Sequence, residues 1–520
     1  MEFKYVPTVC PFCGTGCSFN LVVKDGKVVG SAPFHRSPVC DGKTCQKGHF
    51  AYELVNSPAR LTTPMIKKGD ALAEATWEEA LGVIADKCKS FKPEEVMVVA
   101  SANATNEDIY ALGKLAKEVF KTENFTSPAA VGVDASAGNI AAIAKADCIV
   151  AIGNIVESHP LVARRIANAK DKGAKVIVID NYASPMAKMA TEFVKAAPGA
   201  EAAAISEAAG LVEGQAGVVL YGIGMTSAEA AVAKAAKELA DSKNAVFCAL
   251  PAQSNGRGAL LLGADKPYTD AFAESIKAYY VMGEDLGPLD AEFVVVQDSF
   301  LTGTAKAADV VLPAAVFAEV DGTVTNAERR IQLVRKAQEP AENVKANWQI
   351  IADVAAKLGA DFGFESAESI FKTIYSDLSF EALEKDGYVL PEKEAVIADA
   401  SETAVATSEG YPFALATGAT IWHGFGGMGT LSENCKSLVR EVPQIFAKIS
   451  SEDAKEKEIL AGDKVKITTE NGSLTMPVMI TKDMEKGVVF VPSMCIGETC
   501  VCMLMAGEKA IAAKIEKVEA

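Results

Sequence analysis

The sequence predicts an α/β protein with a small cysteine-bearing domain at its N-terminus, two doubly wound α/β domains and a β-barrel-like C-terminal domain. Between about residues 75 and 400, strands that are apolar at nearly every position alternate with helices, which is typical of parallel sheets covered on both faces. Five of the twelve cysteines lie in the first 45 residues, and hairpin signals dominate after about residue 410.

The length of the chain requires several domains. At 520 residues it is too long for one hydrophobic core, and a typical domain of ~150 residues predicts roughly three or four. We expect a first domain at 1–60, an α/β domain made of 61–130 together with 285–410, a second α/β domain at 131–284 and the barrel-like domain at 411–520.

Local patterns support each region in turn. Asp25-Gly26 separates two apolar runs and predicts a hairpin in the first domain. Thr76 is a plausible helix N-cap, and a strand at 146–153, a helix through Arg165 and a strand at 174–180 form one strand-helix-strand unit. Asn471-Gly472, between two runs of alternating residues, predicts a hairpin in the last domain.

Charge and hydropathy exclude several classes of function. The formal net charge of −17 argues against binding to nucleic acid or to an anionic membrane, because both need a basic surface. No apolar run reaches the ~18 residues of a membrane span, and the N-terminus lacks the pattern of a signal peptide. We therefore expect a cytoplasmic protein without a direct membrane span, whose cysteines serve metal or redox chemistry rather than disulfides.

The first cysteines have the spacing of an iron-sulfur motif. Cys10, Cys13 and Cys17 place three thiols within eight residues, and the glycines between them let the loop wrap closely around a [4Fe-4S] cluster. A tetrahedral zinc site is the alternative, although such sites normally use a second matched pair of cysteines. The residues alone leave Cys40 and Cys45 as candidates for the fourth ligand.

The segment Cys45-Gln46-Lys47-Gly48, followed by Arg60-Leu61-Thr62-Thr63-Pro64, makes the N-terminal region similar to the opening domain of the molybdopterin oxidoreductases. Within that family the sequence resembles the α subunit of formate dehydrogenase most closely. The resemblance implies that Cys45 is the fourth cluster ligand and that Cys40 is a bystander. It also implies that Lys47 lies on the electron path between cluster and pterin, whereas the alternative is a solvated surface lysine.

The resemblance covers the whole chain and implies a Mo- or W-bis(molybdopterin guanine dinucleotide) cofactor. Loops at the carboxyl ends of parallel strands face a ligand crevice, and helix N-termini attract phosphate, so the implied positions are physically sensible. For many of these residues the alternative is that the side chain packs within the fold and does not contact a cofactor. The implied cofactor-binding residues are Asn154, Glu157, His159, Asp180, Asn255, Gly283, Asp298, Thr302, Asp309, Asn326, Gln332, Thr417, Gly418 and Thr430, with His423 as a further catalytic candidate.

One position departs from the family pattern. Formate dehydrogenases use a cysteine or selenocysteine followed by a histidine at the metal, and this chain has Gly132 and Val133 there. Neither side chain can coordinate a metal or carry a proton. Asp134 or Ser136 could replace the ligand, the metal could lack a protein ligand, or the metal site could be lost.

Two functions follow from the resemblance. The first is a molybdenum or tungsten oxidoreductase subunit that passes electrons through the cluster to a partner subunit carrying flavin or iron-sulfur clusters, either as a pair or within a larger redox complex. The second is an electron-relay or structural subunit without a working metal. A separate group, Cys495, Cys500 and Cys502, could bind a second metal, although a thiol-rich core or interface strand is the favoured interpretation.

Overall fold

The structure is a computed structural model that describes residues 2–134, 140–212, 217–222, 229–391, 396–397, 404–424, 431–496, 499–505 and 510–518. The N-terminal region is an antiparallel sheet of three strands, β1 (Phe3–Val9), β2 (Ser18–Lys24) and β3 (Lys27–Pro33), followed by helix α1 (Gln46–Phe50). Asp25 and Gly26 both have positive φ, as a two-residue hairpin turn requires. The predicted first hairpin is therefore present.

The next segment begins the larger of two α/β sheets. Thr76 caps α2: its hydroxyl accepts a hydrogen bond from the Glu79 amide at 3.2 Å, and the Glu79 carboxylate accepts one from the Thr76 amide at 2.8 Å. The elements are β4 (Met65–Lys68), β5 (Ala71–Glu74), α2 (Trp77–Cys88), β6 (Val96–Ala100), α3 (Asn106–Lys114), β7 (Phe125–Thr126) and β8 (Val133–Asp134).

A five-stranded sheet, entirely parallel, follows. Its strand order is β11-β10-β9-β12-β13, and β9 at its centre is buried at every residue, as its continuous apolar sequence predicts. The elements are β9 (Cys148–Ile152), α4 (Ile155–Ser158), α5 (Pro160–Asp171), β10 (Lys175–Asp180), β11 (Glu192–Lys195), α6 (Glu201–Ala208), β12 (Val218–Gly222), α7 (Glu229–Ser242) and β13 (Val246–Leu250).

The chain then returns to the first sheet and completes it. The additional elements are α8 (Gly256–Leu261), β14 (Ala278–Met282), β15 (Phe293–Asp298), α9 (Gly303–Ala307) and β16 (Val310–Pro313). The finished sheet has seven strands in the order β5-β4-β16-β15-β14-β6-β7, parallel from β16 to β7, with β4 antiparallel to β16. One sheet is thus built from two separate stretches of chain, while the residue boundaries given above for the domains stay a prediction.

A small sheet and three helices connect the α/β sheets to the last region. The strand β18 pairs with β17 and β19, and β20 pairs antiparallel with β8. The elements are β17 (Gly322–Thr325), β18 (Arg330–Val334), α10 (Asn347–Lys357), α11 (Ala367–Ile374), α12 (Phe380–Leu383), β19 (Tyr388–Val389) and β20 (Val396–Ile397).

The C-terminal region is a closed six-stranded barrel in the order β21-β25-β22-β24-β23-β28, which confirms the predicted barrel-like architecture. Its elements are β21 (Phe413–Gly418), α13 (Lys436–Glu441), β22 (Ala447–Ser450), α14 (Ser451–Glu456), β23 (Lys464–Thr468), β24 (Ser473–Thr481), β25 (Val488–Pro492), β26 (Cys495–Ile496), β27 (Thr499–Cys500), α15 (Cys502–Met505) and β28 (Ala510–Lys517). Among the helices that the structure describes, none combines the length and the apolar character needed to cross a bilayer.

A buried ion pair joins the N-terminal region to the seven-stranded sheet. Both guanidinium nitrogens of Arg60 donate to the Glu319 carboxylate, at 2.8 and 3.2 Å, and Arg60 also donates to the Val55 carbonyl at 3.0 Å. The two charged side chains are only 9% and 3% exposed. This bidentate contact ties the segment that follows the first domain to the segment that follows the strand Val310–Pro313.

Replacing Arg60 with Met leaves the Glu319 carboxylate buried without its cation, so we expect the free energy of unfolding to fall by about 3–5 kcal/mol in urea denaturation. Arg440→Met is the matched control, because the Arg440 side chain is 80% exposed and its removal changes stability by less than about 0.5 kcal/mol. Equal, small effects of the two substitutions would show that the pair does not hold the domains together.

Candidate metal and cofactor site

Four cysteine side chains converge at the first domain. The thiol of Cys10 is close enough to interact electrostatically with those of Cys13, Cys17 and Cys45, and Cys13 interacts with Cys45 in the same way. Among the residues that the structure describes, these four sulfurs do not form a set within 4.8 Å of one another. Tetrahedral zinc, with bonds of ~2.3 Å, would hold its sulfurs ~3.8 Å apart. The wider spacing favours a cubane cluster over a single ion.

Asn326 and Gln332 hold the loop that carries the first three cysteines, residues 10–17, through hydrogen bonds to its backbone. Asn326 donates its side-chain amide to the Thr15 carbonyl at 3.1 Å, and Gln332 donates to the Gly16 carbonyl at 3.0 Å. Gly16 has φ +68°, and a Cβ there would lie 2.4 Å from the Gln332 side-chain oxygen. Both residues were expected to bind the pterin cofactor, whereas the structure places them on the cluster loop.

The positions of Cys45 and Cys40 differ in a way that distinguishes the two candidate ligands. Cys45 is the N-cap of α1, and the amides of Lys47 and Gly48 donate toward its sulfur. The sulfur of Cys40 lies beside Cys17, and its thiol donates to the Ser37 hydroxyl at 3.1 Å. Cys45 interacts electrostatically with two of the other cluster cysteines, Cys10 and Cys13, whereas Cys40 interacts with Cys17 alone, which favours Cys45 as the fourth ligand.

Lys47 is buried at the centre of the molecule, which excludes a solvated surface lysine. Its side chain is 1% exposed, and its ammonium group donates to the Thr420 carbonyl at 2.8 Å and to the Glu157 carbonyl at 3.2 Å. An ammonium group has three donors, so two protein carbonyls leave one for another acceptor. The positive charge also lowers the pKa values of the Cys10 and Cys45 thiols, which are raised mainly by burial.

The two predicted histidines flank this lysine as neutral rings. Burial, with a smaller contribution from Lys47, lowers the pKa values of His159 and His423 to about 4. His159 Nε2 donates to the Pro251 carbonyl at 2.8 Å, and His423 Nε2 donates to the Val442 carbonyl at 2.9 Å. In each ring Nδ1 accepts from a serine hydroxyl, at 2.8 and 2.7 Å respectively. Because both nitrogens of each ring have protein partners, the histidines support the site structurally.

A cavity lies between the carboxyl end of the five-stranded sheet and the barrel, with about 390 Å³ of empty space that is partly open to solvent. Asn154, Asp180, Thr417 and Gly418, all predicted cofactor-binding residues, line it. Three buried polar atoms in this wall, Asn154 Oδ1, Asp180 Oδ2 and Thr417 Oγ1, lack a hydrogen-bond partner in the protein. Unpartnered buried polar atoms are rare, so this wall is built for a polar ligand.

Glu157, another predicted cofactor-binding residue, borders this cavity through Asn154. Its carboxylate accepts from the Asn154 side-chain amide at 2.5 Å, and burial raises its pKa, while the charges of Lys448 and Lys47 lower it. The backbone carbonyl of Glu157 accepts a hydrogen bond from the Lys47 ammonium group. Glu157 therefore connects the cavity to the buried lysine.

A second, larger cavity lies at the carboxyl end of the seven-stranded sheet. It has about 800 Å³ of empty space, partly open to solvent, and it extends to Cys10 of the cluster loop. The predicted residues Gly283 and Asp298 line it, together with Ser254 and Asn347. Burial raises the pKa of Asp298 to about 7, and burial has the same effect on Asp180 in the first cavity.

The two cavities repeat one local structure. Gly153 and Gly283 each follow a central strand with positive φ, 83° and 64°. The amide of Gly153 donates to the carbonyl of Ile179 at 2.8 Å, and that of Gly283 donates to Gln297 at 2.9 Å. Each of these carbonyls immediately precedes the aspartate that ends the neighbouring strand. The repetition indicates that the two cavities accept the same kind of group.

Three further predicted residues lie outside the walls of these two cavities. The Asn255 side chain accepts from the amide of Thr325 at 2.7 Å, and Thr302 caps α9 by accepting from a backbone amide at 3.0 Å. Asp309 precedes β16 at the opposite end of the sheet and accepts from the Val294 amide at 2.8 Å. Thr430 lies outside the described residues.

The two positions where the resemblance implies a metal-binding cysteine and the histidine that follows it are Gly132 and Val133 here. Val133, in β8, is 2% exposed and packs in a hydrophobic cluster with residues of the five-stranded sheet such as Val150 and Ala249. The backbone of Asp134 pairs with Val396 in β20. Asp134 as a metal ligand stays a prediction, and Ser136 lies outside the part of the chain that the structure describes.

Sequence reasoning missed several residues of the first cavity. Tyr182 and Phe490 line it with their rings 5.7 Å apart, and the Lys448 ammonium lies 5.1 Å from the Phe490 ring centroid. Asn181 and Tyr182 follow a strand-ending aspartate, which is a signal that could have indicated them. Phe490 and Lys448 lie on barrel strands, where no pattern in the sequence points to a ligand.

The C-terminal cysteines differ from the expectation of unpaired thiols. Cys495 and Cys500 are joined by a disulfide, and they sit opposite each other on β26 and β27. Two residues that lie directly opposite each other on antiparallel strands are close enough to form a disulfide. The spacing of the two cysteines in the sequence does not show that they are opposed.

Three family models match this chain in succession. The Fe4S4 domain of the molybdopterin oxidoreductases matches residues 3–57, the molybdopterin oxidoreductase domain matches 60–357, and the molybdopterin dinucleotide binding domain matches 413–514. The chain belongs to the molybdopterin oxidoreductase family.

Within this family the chain is formate dehydrogenase alpha-like. It is 34% identical to the F420-dependent formate dehydrogenase 2 subunit alpha of Methanococcus maripaludis, with 94% of each chain covered. It is also 34% identical to the F420-dependent formate dehydrogenase subunit alpha of Methanocaldococcus jannaschii, with 95% of each covered. Acetylene hydratase from Pelobacter acetylenicus has the same fold, with a TM-score of 0.69 and 16% identity over 98% of this chain and all of that one.

The first of these alignments runs over 642 positions, whereas the chain has 520 residues, so the relative carries more than a hundred positions without a counterpart here. The segments that make this relative longer therefore have no counterpart in the aligned part of this chain.

The family's cofactors are a [4Fe-4S] cluster and Mo- or W-bis(molybdopterin guanine dinucleotide), and the residues present fit both. Four converging cysteines suit the cluster. Two equivalent cavities, with unpartnered polar atoms in the first, suit the two dinucleotides. Lys47 lies close to Cys10 and Cys45 and donates to the carbonyls of Glu157 and Thr420, which leaves one of its three N–H groups for a cofactor.

A pair of serine substitutions tests the fourth ligand. Cys45→Ser removes a thiolate that faces the cluster, so we expect the iron content of anaerobically purified protein to fall well below the ~4 irons of a complete cubane. Cys40→Ser is the matched control. It should retain about four irons, because the Cys40 thiol donates a hydrogen bond to the Ser37 hydroxyl and is not the proposed cluster ligand. Loss of iron only in the Cys40 variant would reverse the assignment.

Proposed function

We propose that this chain is the catalytic alpha-type subunit of a molybdenum- or tungsten-dependent enzyme that oxidises formate and passes the electrons through its cluster. When bound, the metal cofactor supplies the two-electron chemistry. The observation that carries the proposal is the burial of Lys47 beside Cys10 and Cys45, with its ammonium group donating to the carbonyls of Glu157 and Thr420. The formate dehydrogenase names of the relatives support the choice of substrate.

In this proposal Asp180 and Asp298 recognise the bases of the two dinucleotides. A guanine edge offers adjacent N–H donors, and a carboxylate accepts two hydrogen bonds side by side. Both carboxyl groups are buried with raised pKa values, so N–H donors from the base would stabilise their charged form. Asn154 and Thr417 then bind polar edges of the first dinucleotide with the atoms that lack protein partners.

Lys47 in this proposal binds and orients. Two of its donors hold the carbonyls of Glu157 and Thr420, and the third reaches the pterin. Its charge stabilises an anionic cluster on one side and an anionic cofactor on the other. The two neutral histidines beside it add no competing charge, which keeps the lysine as the cation shared by both redox centres.

In this proposal the side of the site at Cys45 would be the exit for electrons, because this edge lies nearest to solvent. Cys45 is more exposed than Cys10, Cys13 and Cys17, which are all buried. We propose that a partner subunit with flavin or iron-sulfur clusters docks at this edge as part of a larger redox complex in the cytoplasm. The relatives are named alpha subunits, which supports an assembly of several chains.

One observation favours a second function. Val133 is buried in an apolar cluster where related enzymes place a metal ligand and its neighbouring proton carrier. A subunit that lost its metal chemistry could keep the fold, the cluster and Lys47 as an electron relay. The two functions differ in whether formate alone can reduce the cluster.

Formate added under anaerobic conditions to the metal-loaded, cluster-loaded chain should bleach the visible absorption of the oxidised cluster and drive reduction of a viologen dye. The enzyme proposal predicts both responses. Dithionite provides the control, because it reduces the cluster whichever function is correct. Bleaching with dithionite but not with formate would reject formate oxidation and support the relay.

Replacing Lys47 with Met tests the proposed connection. The variant leaves two buried carbonyls without donors and removes the proposed contact to the pterin. Formate-dependent dye reduction should therefore fall at least ~100-fold, which corresponds to an increase of about 2.7 kcal/mol in the activation free energy. Lys43→Met is the matched control, since Lys43 is exposed on the same segment. Iron and metal contents are measured for both. Full activity in a Lys47→Met protein that retains its metals would contradict the role.

A further inference from the structure

The Cys495–Cys500 pair lies where the barrel meets the second cavity. Both cysteines are buried, 1% and 2% exposed, and their sulfurs lie 3.8 and 3.9 Å from the backbone carbonyl oxygen of Asp285. Asp285 comes two residues after Gly283, which lines the second cavity. The pair is therefore packed against the loop that shapes one dinucleotide crevice.

This loop is held together by the same aspartate. The Asp285 carboxylate accepts hydrogen bonds from the amides of Gly287, Gly303 and Thr304 at 3.0, 3.2 and 3.1 Å, and from the Thr304 hydroxyl at 3.0 Å. A Cβ at Gly287 would lie 3.5 Å from Cys500 Cβ, which shows how closely the barrel hairpin approaches. Making or breaking the bond between the two cysteines would therefore move atoms that contact this loop.

The side chains at this point also form a donor set for a metal. The sulfurs of Cys495 and Cys500 and a carboxylate oxygen of Asp285 all lie within 4.8 Å of one another, and this is the one such group of three among the described residues. While the disulfide is intact its two sulfurs are bonded to each other, whereas a single ion with tetrahedral bond angles needs donors ~3.5–3.8 Å apart, so the sulfurs can act as ligands only after the bond is broken. Thiolates select thiophilic cations such as Zn²⁺.

The disulfide is the exception among the cysteines of this chain. The other ten cysteines are outside disulfides, and the Cys495–Cys500 bond spans a separation of only five residues. So short a loop removes little disorder from the unfolded chain, which makes stabilisation a weak reason for the bond. Disulfides in otherwise reduced proteins are usually transient or redox-sensing.

We propose that Cys495, Cys500 and Asp285 form a redox-controlled binding site for a thiophilic divalent cation of the Zn²⁺ class. A dithiol reductant transfers two electrons and two protons to the disulfide, breaks the S–S bond and leaves as its own disulfide. The two thiols then lose their protons to solvent as two metal–sulfur bonds form, and the Asp285 carboxylate supplies the third protein ligand. The oxidised state holds the hairpin by a covalent bond, and the reduced state ties it to the Asp285 loop through the metal.

Zinc titration of the full, cluster-loaded chain tests the site. The protein is incubated anaerobically with and without an excess of dithiol reductant, supplied with Zn²⁺, desalted and analysed for zinc and iron. We expect one additional zinc per chain only after reduction. The expected zinc is absent from Cys500→Ser and Cys495→Ser. Cys502→Ser should retain it, because Cys502 belongs to the same sequence motif but lies beside Tyr268, outside the donor set.

A second readout uses the wild-type chain and does not depend on how the variants fold. Alkylation of the reduced protein, followed by peptide mass spectrometry, should modify Cys495 and Cys500 without zinc and spare them when zinc is bound. Absence of extra zinc after reduction, or alkylation that zinc does not change, would overturn the site. Equal zinc binding without the reductant would overturn the redox control, and zinc retained by both cysteine variants would place it elsewhere.

Discussion

The burial of one positive charge, the ammonium group of Lys47, is the constraint around which the molecule is organised. Removing a charge from water is costly unless it is paired or hydrogen-bonded. Here the ammonium group donates to the carbonyls of Glu157, in the five-stranded sheet region, and Thr420, which follows the first barrel strand. Because Lys47 itself lies in the helix that begins at cluster ligand Cys45, three parts of the fold must meet at this point.

This meeting point explains why the cluster and the cavities have fixed relative positions. The lysine is close enough to Cys10 and Cys45 to lower their pKa values, and to His159 and His423 to do the same. Ligand chemistry requires deprotonated cysteines, so a nearby cation assists cluster assembly. The neutral histidines, held by carbonyls and serines, complete the surroundings without adding charge.

Local sequence patterns were sufficient for much of this structure. The cysteine spacing, the hairpin at Asp25-Gly26, the helix cap at Thr76 and the continuous apolar strands depend on neighbours in the chain, and the structure contains all of them. The strand-ending Asp180 and Asp298 could also be anticipated, since carboxyl ends of parallel strands form crevices.

The remaining features depend on contacts between distant residues. Asn326 and Gln332 hold the cluster loop across 311 and 316 positions of the sequence, and no local signal records such a pairing. Asp309 precedes its strand, and only the direction of β16 in the sheet places it away from the crevice. The partnership of Cys495 and Cys500 likewise follows from strand register rather than from their spacing.

The central claim is that Lys47 connects one cluster to a metal cofactor held by two dinucleotides in one chain. The most direct test is the composition of the anaerobically purified protein, measured as iron, molybdenum, tungsten and acid-released guanine nucleotide. The account predicts about four irons, about one molybdenum or tungsten and about two guanine nucleotides per chain. Four irons with neither metal nor nucleotide, in protein expressed with the cofactor available, would contradict it.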